Sequence, residues 1–514
     1  LHAESVRLTD FHVSPICSPT RAALLTGRHC RHVGVHSANN GINLVSRETP
    51  TMANVFAMNG YRTGIFGKWH LGDLYPYRPI DRGFQEAVVH GDGAVTTVAD
   101  AWGNDYFDDR YWHNGKKTRY EGFCTDVWFN EATRFIKQSR AAGKPFFCYI
   151  PTNISHGPYY APRKYVEMFE DRPHPALFAA LAHFDERVGQ LRSMLKESGL
   201  EENTILIYCT DNGASRASRI FNAGMRGSKG SPYDGGHRVP GFIHWPSGNI
   251  SGGRDVDQLS AHLDILPTLI DFCQLKTPGN YHTDGFSLRP VLDGTVNDLG
   301  DRVLVESFRS AVMTKRWRLV GKELYDMPVD PGQKNDVAKA YPDVVSRLRA
   351  ALQDVEEKND TRQQRVVIGS DKQNPTELTP EAWSERKVGF WQSGIREGIS
   401  GTAPIFAEAE TAGSYRFSLR RWPEKVNRPI RASADLTIPD GLAGETKTEK
   451  GKALPIVKAR LKVAGFDKTM EVTDDMTEAT FTVPLKKGNC DIHAQFIGND
   501  GNEYGAYFLY ITHK

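Results

Sequence analysis

A cysteine followed by a proline and then an arginine opens the stretch of this chain with the most chemical content, Cys17-Ser18-Pro19-Thr20-Arg21-Ala22-Ala23-Leu24-Leu25-Thr26-Gly27-Arg28. Its grammar is that of a loop entering a helix: Pro suits the first turn, Ala and Leu propagate, and Gly27 can end it. Cys17 is therefore expected near a helix amino terminus. Unpaired amide donors and the helix dipole there favour an anion, and Arg21, one turn along, can face the same spot. By itself the pattern fits a buried thiol beside a salt-bridged arginine more readily. Further along, Thr210-Asp211-Asn212-Gly213 offers either hard oxygen ligands of the kind Ca²⁺ or Mg²⁺ takes, or simply an Asp-Asn-Gly turn. Taken singly, Lys68 and Lys229 read as solvated charges, His70 as a packing histidine beside Trp69, and His156 as a turn residue before Pro158.

The elements that must position these residues follow from the apolar pattern. From Thr51 to about Phe272, short β-type runs alternate with helical stretches, the signature of an α/β domain with a largely parallel central sheet flanked by helices. The clearest strands are Pro145 to Pro151 and Thr204 to Cys209. Between them, Leu177, Leu181, Phe184, Val188, Leu191 and Leu195 recur at steps of three and four, so Ala176 to Glu197 is expected as one amphipathic helix. Together these form an expected βαβ unit whose second strand runs into Asp211, and ligands gather at the carboxyl ends of strands in such sheets. After Gly285 a smaller α+β segment is expected, with Glu323-Leu324-Tyr325-Asp326 as strand and Ala338 to Glu357 as helix. From about Thr361, alternation as in Ser414 to Arg420 and Ala479 to Val483 points to an all-β, sandwich-like C-terminal domain. The expected division is residues 1–290, 291–360 and 361–514.

Cys17 to Arg28 resembles the signature of the formylglycine-dependent sulfatases, an alkaline-phosphatase-like fold family, over twelve consecutive residues. The resemblance continues in order through Gly67 to Gly72, His156-Gly157-Pro158, Thr210 to Gly213, Arg226 to Gly230 and Gly235 to Pro240. It implies that a maturation enzyme oxidises Cys17 to formylglycine, whose hydrate attacks sulfur to give a covalent sulfo-enzyme and then expels sulfate. By the same resemblance Arg21 and Lys68 fix the hydrate, His70 is the base that releases sulfate, and His156 and Lys229 bind the sulfate and protonate the leaving alcohol. Arg238 is carried over as a substrate-binding residue that can also brace its loop. Asp211, Asn212 and the modified Cys17 are the implied metal ligands, for Ca²⁺ or Mg²⁺. Members of the family carry an Asp-Asp pair well before the modified Cys. Here 16 residues precede Cys17, so the catalytic domain is expected to be incomplete at its start, and metal binding and turnover weak.

Composition limits the alternatives. Lys plus Arg (64) nearly cancel Asp plus Glu (62) for a net charge of +2, so no polycationic face for nucleic acid is implied. No apolar run is long enough to cross a bilayer. Seven scattered cysteines make no disulfide scaffold. The expected substrate is a sulfated carbohydrate or other sulfated small molecule, and the resemblance implies a periplasmic or secreted location. Oligomeric state is open. A phosphate or phosphonate monoester hydrolase of the same fold, and a non-catalytic binder of sulfated glycans, stay as alternatives. Trp102, Tyr106, Tyr111 and Trp112 can stack on sugar rings or pack internally.

Overall fold

The computed structural model describes residues 1–279, 281–435, 442–444 and 450–514. They form two compact units whose segments alternate along the chain: Leu1–Ala38, Val45–Gly60 and Leu191–Arg362 in the first, and Asn39–Leu44, Tyr61–Gln190 and Gln363–Lys514 in the second.

In the first unit, Val6–Leu8 lies between Asp255–Val256, to which it is parallel, and Gly241–His244, to which it is antiparallel. Leu206–Cys209 completes this sheet by pairing antiparallel with Gly241–His244. The helices Cys17–Thr26, Met52–Met58 and Ile265–Phe272 belong to the same unit. Met52–Met58 starts at a reciprocal cap, in which the Thr51 hydroxyl accepts from the Asn54 amide and the Asn54 side chain from the Thr51 amide. The expected α+β segment is an antiparallel meander of Leu304–Glu306, Ala311–Met313, Trp317–Val320 and Glu323–Asp326. The helix Pro342–Glu356 covers it, with Val345 and Leu348 packed on Val305, Val312, Trp317, Leu319 and Leu324.

The second unit holds a five-stranded sheet ordered Lys116–Arg119, Arg110–His113, Glu86–His90, Arg62–Lys68, Phe146–Tyr149. Its last three strands are mutually parallel, as expected of an α/β region, and the helix Cys124–Ala141 packs on them. The C-terminal part is all-β apart from short helical turns. One of its sheets is ordered Val366–Ile368, Ile405–Ala409, Gly488–Gly498, Ile456–Val463, Phe466–Glu471, and the other Thr376–Leu378, Phe508–His513, Gly413–Arg420, Ala479–Leu485. Alternation makes this possible. Along Ala479–Leu485, and along Ala459–Val463 past a bulge between Ile456 and Lys458, every second side chain is buried, and the inward set shares one core with Trp383, Tyr415, Phe417 and Leu509.

Arg421 is fully buried at the end of the Gly413–Arg420 strand. Its guanidinium donates to the carbonyls of Ala432, Ile395, Arg396 and Lys452 at 2.7–3.2 Å. Burial pushes its pKa down to about 10. A charge this deep is tolerated because carbonyl dipoles replace water on both terminal nitrogens, and it ties three backbone segments to its own strand in return.

The helix expected over 176–197 is Pro175–Glu197, and both flanking strands form, as Phe146–Tyr149 and Leu206–Cys209. The βαβ reading of this stretch differs from the structure. Phe146–Tyr149 pairs with Arg62–Lys68, and Leu206–Cys209 pairs antiparallel with Gly241–His244, so the two strands belong to different sheets. An apolar run marks a strand but carries no information about its partner. None of the seven cysteines is joined in a disulfide. Phe417→Ala empties a fully buried site in the C-terminal core, and its expected cost is about 3–5 kcal/mol, read as a lower urea midpoint of the Trp fluorescence transition.

Candidate functional site

Cys17 is the first residue of the helix Cys17–Thr26 and is buried. The residue before it, Ile16, is extended (φ −143°, ψ 148°) and supplies no side-chain cap to the first-turn amides. The donors that usually take a Ser or Asp oxygen at this position therefore receive none from it, the arrangement of an anion-accepting helix start. Gly27 ends the helix in the left-handed conformation (φ 66°), its amide donating to the Ala23 carbonyl. Arg21, one turn in and buried, donates through Nη2 and Nε to Asp211 Oδ2 at 2.7 and 3.1 Å. Two residues singled out in the sequence are thus brought together as an ion pair.

Asp211 and Asn212 follow directly on the strand Leu206–Cys209, at its carboxyl end. The Asn212 Nδ2 donates to the Gly213 carbonyl at 3.0 Å, while its Oδ1 is buried and has no hydrogen-bond partner. A buried acceptor left this way costs about 1–3 kcal/mol, and a ligand bound there recovers it. The donors present, one carboxylate and one amide oxygen, fit a hard cation of the Ca²⁺ or Mg²⁺ kind.

This turn is fastened to the glycine-rich stretch that carries Lys229. Gly213 N–H donates to the Gly236 carbonyl at 2.8 Å and Lys229 N–H to the Ala214 carbonyl at 2.9 Å. Gly230 N–H donates to Pro15 O and Val13 N–H to His237 O, both at 2.8 Å, so the same stretch also holds the segment leading into Cys17. Such close approach requires glycine: a Cβ on Gly213 would lie 2.0 Å from the Gly235 carbonyl oxygen. Arg238 is engaged elsewhere. Its Nη2 donates to the Thr9 carbonyl at 2.8 Å, and its guanidinium lies 3.7 Å from Asp10 and 3.8 Å from Asp234. That placement braces the loop.

In the second unit, Lys68 ends the strand Arg62–Lys68, and its amide donates to the Pro151 carbonyl at 2.6 Å. His70 follows with a positive φ of 61°, its buried ring Nε2 3.0 Å from Asp92 Oδ1. The strand register explains this pairing: Lys68 lies opposite His90 in the parallel neighbour, and two residues further on the same register sets His70 against Asp92. His156 lies beyond the strand Phe146–Tyr149. Its Nδ1–H donates to the Gly157 carbonyl at 2.7 Å, and its half-buried ring sits beside Phe390 and Trp391. Lys68 thus lies at, and His70 and His156 beyond, the carboxyl ends of parallel strands. Asp92 is the site residue that sequence reading missed, since only the register reveals it as the partner of His70. Trp102, Tyr106 and Tyr111 pack internally: Trp102 is edge-on to Trp422, and Tyr111 contacts Trp128 and donates to Asp109.

Beneath His70 lies a group of buried carboxyls. Burial raises Asp92 and lifts Glu381 well above the ordinary range, and it pushes Asp73, whose Oδ2 accepts the Asp92 amide, up to about 7. Between the unfolded value near 3.8 and about 7, folded Asp73 keeps a proton that the unfolded chain has lost. Its contribution to stability is thus full below about pH 4, falls as the pH rises through this window, and is lost above it. Asp73→Asn keeps the acceptor without the titration. The expected result is a melting temperature about 2–4 °C above wild type at pH 8 with little change at pH 4, and an equal effect at both values would refute the assignment.

Comparison with known proteins matches residues 1–275, more than half of the chain, to the sulfatase family. Arylsulfatase A of Homo sapiens is 32% identical over 331 residues, covering 57% of this chain and 62% of its own. N-acetylgalactosamine-6-sulfatase of Canis lupus familiaris is 29% identical over 317 residues, covering 57% and 60%. The chain thus spans about three fifths of the length of these curated relatives. Among solved structures, Ps i-CgsB in complex with k-i-k-neocarrahexaose aligns with a TM-score of 0.61 at 24% identity, over 70% of this chain and 86% of that one. The PsFucS1 sulfatase from Pseudoalteromonas sp. aligns with a TM-score of 0.59 at 20% identity, over 71% and 85%. The structural likenesses establish the fold, and the match over residues 1–275 establishes the lineage: the chain belongs to the sulfatase family.

Proposed function

We propose that this protein hydrolyses sulfate esters of carbohydrates, using an oxygen nucleophile made when a maturation enzyme oxidises Cys17 to formylglycine. The observation that supports this most is the arrangement within the first unit. There Cys17 opens a helix to which Ile16 gives no side-chain cap, Arg21 is paired to Asp211, and the Lys229 stretch is bonded to the segment leading into Cys17. Relatives named for N-acetylgalactosamine 6-sulfate support a sulfated sugar as the substrate class.

A sulfate monoester needs an in-line oxygen nucleophile and positive charge around its non-bridging oxygens. An aldehyde at residue 17 supplies that nucleophile as its hydrate. The family resemblance gives Arg21 and Lys68 the role of holding the hydrate, and each is a buried cation within its own unit. The same resemblance gives Lys229 and His156 the sulfate oxygens and the proton of the leaving alcohol. His156 is suited to this because donation from Nδ1 to Gly157 leaves Nε2 as the position that exchanges a proton. His70 is the base of the release step, and Asp92 orients its ring. Arg238 keeps the loop in position for substrate. Asp211 and Asn212, with Cys17, are the residues that would hold Ca²⁺ or Mg²⁺. A bound cation adds positive charge for the sulfate oxygens. No helix among the described residues is long and apolar enough to cross a membrane. A periplasmic or secreted location is part of this reading.

The first test is the mass of the tryptic peptide Leu8 to Arg21, which conversion of the thiol to an aldehyde lowers by about 18 mass units. An unmodified thiol, in a host that matures another sulfatase, would refute the proposal. Cys17→Ala is expected to abolish sulfate release from sulfated sugars. If the wild type binds such sugars without releasing sulfate, and Cys17→Ala binds them equally well, the protein is a binder instead. His70→Gln is expected to lower kcat by about 10²–10⁴. Asp92→Asn should reproduce part of that loss with KM little changed, as steady-state kinetics will show.

A further inference from the structure

We propose that His12, His237 and Asp234 form a binding site for one divalent d-block cation of the Zn²⁺ kind, built from residues other than the oxygen donors Asp211 and Asn212. His12 ends the short strand Phe11–His12, and Asp234 and His237 bracket the single turn Asp234–His237. All three are buried, and one ligand atom from each lies within 4.8 Å of the other two.

The ring nitrogens set the geometry. His237 Nε2 is 3.1 Å from the Pro232 carbonyl oxygen, which only accepts, and His12 Nε2 is 2.9 Å from Asp10 Oδ1 and 3.3 Å from Arg318 Nη2. Both Nε2 atoms are thus turned to partners of their own, and the two Nδ1 atoms face each other at 2.9 Å. With a proton on each Nε2, both Nδ1 atoms present lone pairs. Two lone pairs at that distance repel unless an electrophile, a metal ion or a shared proton, lies between them. The Asp234 carboxylate within reach of both rings supplies the third donor that a metal ion takes and a shared proton does not need.

The surroundings agree. Histidines that bind metals donate the opposite ring N–H to a carboxylate or a backbone carbonyl, and His12 does the first while His237 does the second. Asp234 supplies the charge: its Oδ1 accepts from Arg318 Nε at 3.2 Å, and its Oδ2 is buried without a hydrogen-bond partner, 3.8 Å from Arg238 Nη1. Two imidazoles and a carboxylate suit Zn²⁺, Co²⁺ or Fe²⁺ rather than Ca²⁺, and three protein ligands leave a position open for water or a further donor. Nitrogens on a tetrahedral ion stand about 3.3 Å apart for bonds near 2.0–2.1 Å, so the rings need to part by only a few tenths of an ångström. Since Val13 N–H donates to the His237 carbonyl, a bound ion would clamp the segment that leads into Cys17.

The test uses the full chain, stripped with a chelator and equilibrated with Zn²⁺ or Co²⁺ alone. The expected result is one equivalent of zinc retained after dialysis, a higher melting temperature than the stripped protein, and a visible Co²⁺ absorption band typical of nitrogen and oxygen ligation. His12→Asn and His237→Asn are expected to lose the retained metal and the band, and Asp211→Asn to keep both. The wild-type stoichiometry and spectrum need no variant, so a misfolded mutant does not blunt the test. Failure to retain metal, equal retention by His237→Asn, or a nitrogen-15 spectrum showing a proton shared between the two Nδ1 atoms in Zn²⁺-treated protein would each overturn the proposal. None of these readouts depends on sulfate release, so the proposed activity and this site fail independently.

Discussion

Arg21 and Asp211 lie 190 residues apart in the chain, and the ion pair between them ties the helix that begins at Cys17 to the turn that follows Leu206–Cys209. The guanidinium is buried and the carboxylate mostly so, which makes the pair costly to separate: losing one partner leaves the other charge uncompensated, at roughly 3–5 kcal/mol. The pair also fixes direction, because two N–H groups converge on one oxygen. Around it the backbone does the finer positioning. Amides of Val13, Gly213, Lys229 and Gly230 reach across to carbonyls of His237, Gly236, Ala214 and Pro15, and the glycines allow main chains to approach where a methyl group would collide.

The second unit reaches its chemistry by a different route. Its parallel strands end side by side, so residues just past those ends gather without long-range ion pairs. Lys68, His70 and Asp92 are placed by strand register. His70 and Asp92 meet in a region where burial keeps neighbouring carboxyls protonated, which lowers stability at neutral pH. Positions that weaken a fold persist where their geometry is needed, and this region coincides with the residues assigned to catalysis.

The C-terminal β region has the opposite character. Its energy comes from alternating apolar side chains in two sheets, and the fully buried Arg421 turns both terminal nitrogens to backbone carbonyls. Tyr415, Phe417, Leu419 and Trp422 are buried core residues of this packing.

What the sequence determined by itself was local. Alternation and three-to-four spacing located the helix Pro175–Glu197, the strands on either side of it and the β-rich C-terminal region, because each depends only on which face of an element is apolar. The run from Cys17 to Arg28 announced a helix start with an anion-binding character, since the first-turn proline, the arginine one turn on and the terminating glycine all lie within a dozen residues. Only the tertiary structure decided the partners. It placed Leu206–Cys209 antiparallel to Gly241–His244 rather than in a βαβ crossover, paired Arg21 with Asp211, turned Arg238 to the Thr9 carbonyl, set Asp92 against His70 and brought His12 face to face with His237. Each of these depends on contacts between distant segments, whose free energy is shared over many side chains and leaves no mark on the spacing of any one of them.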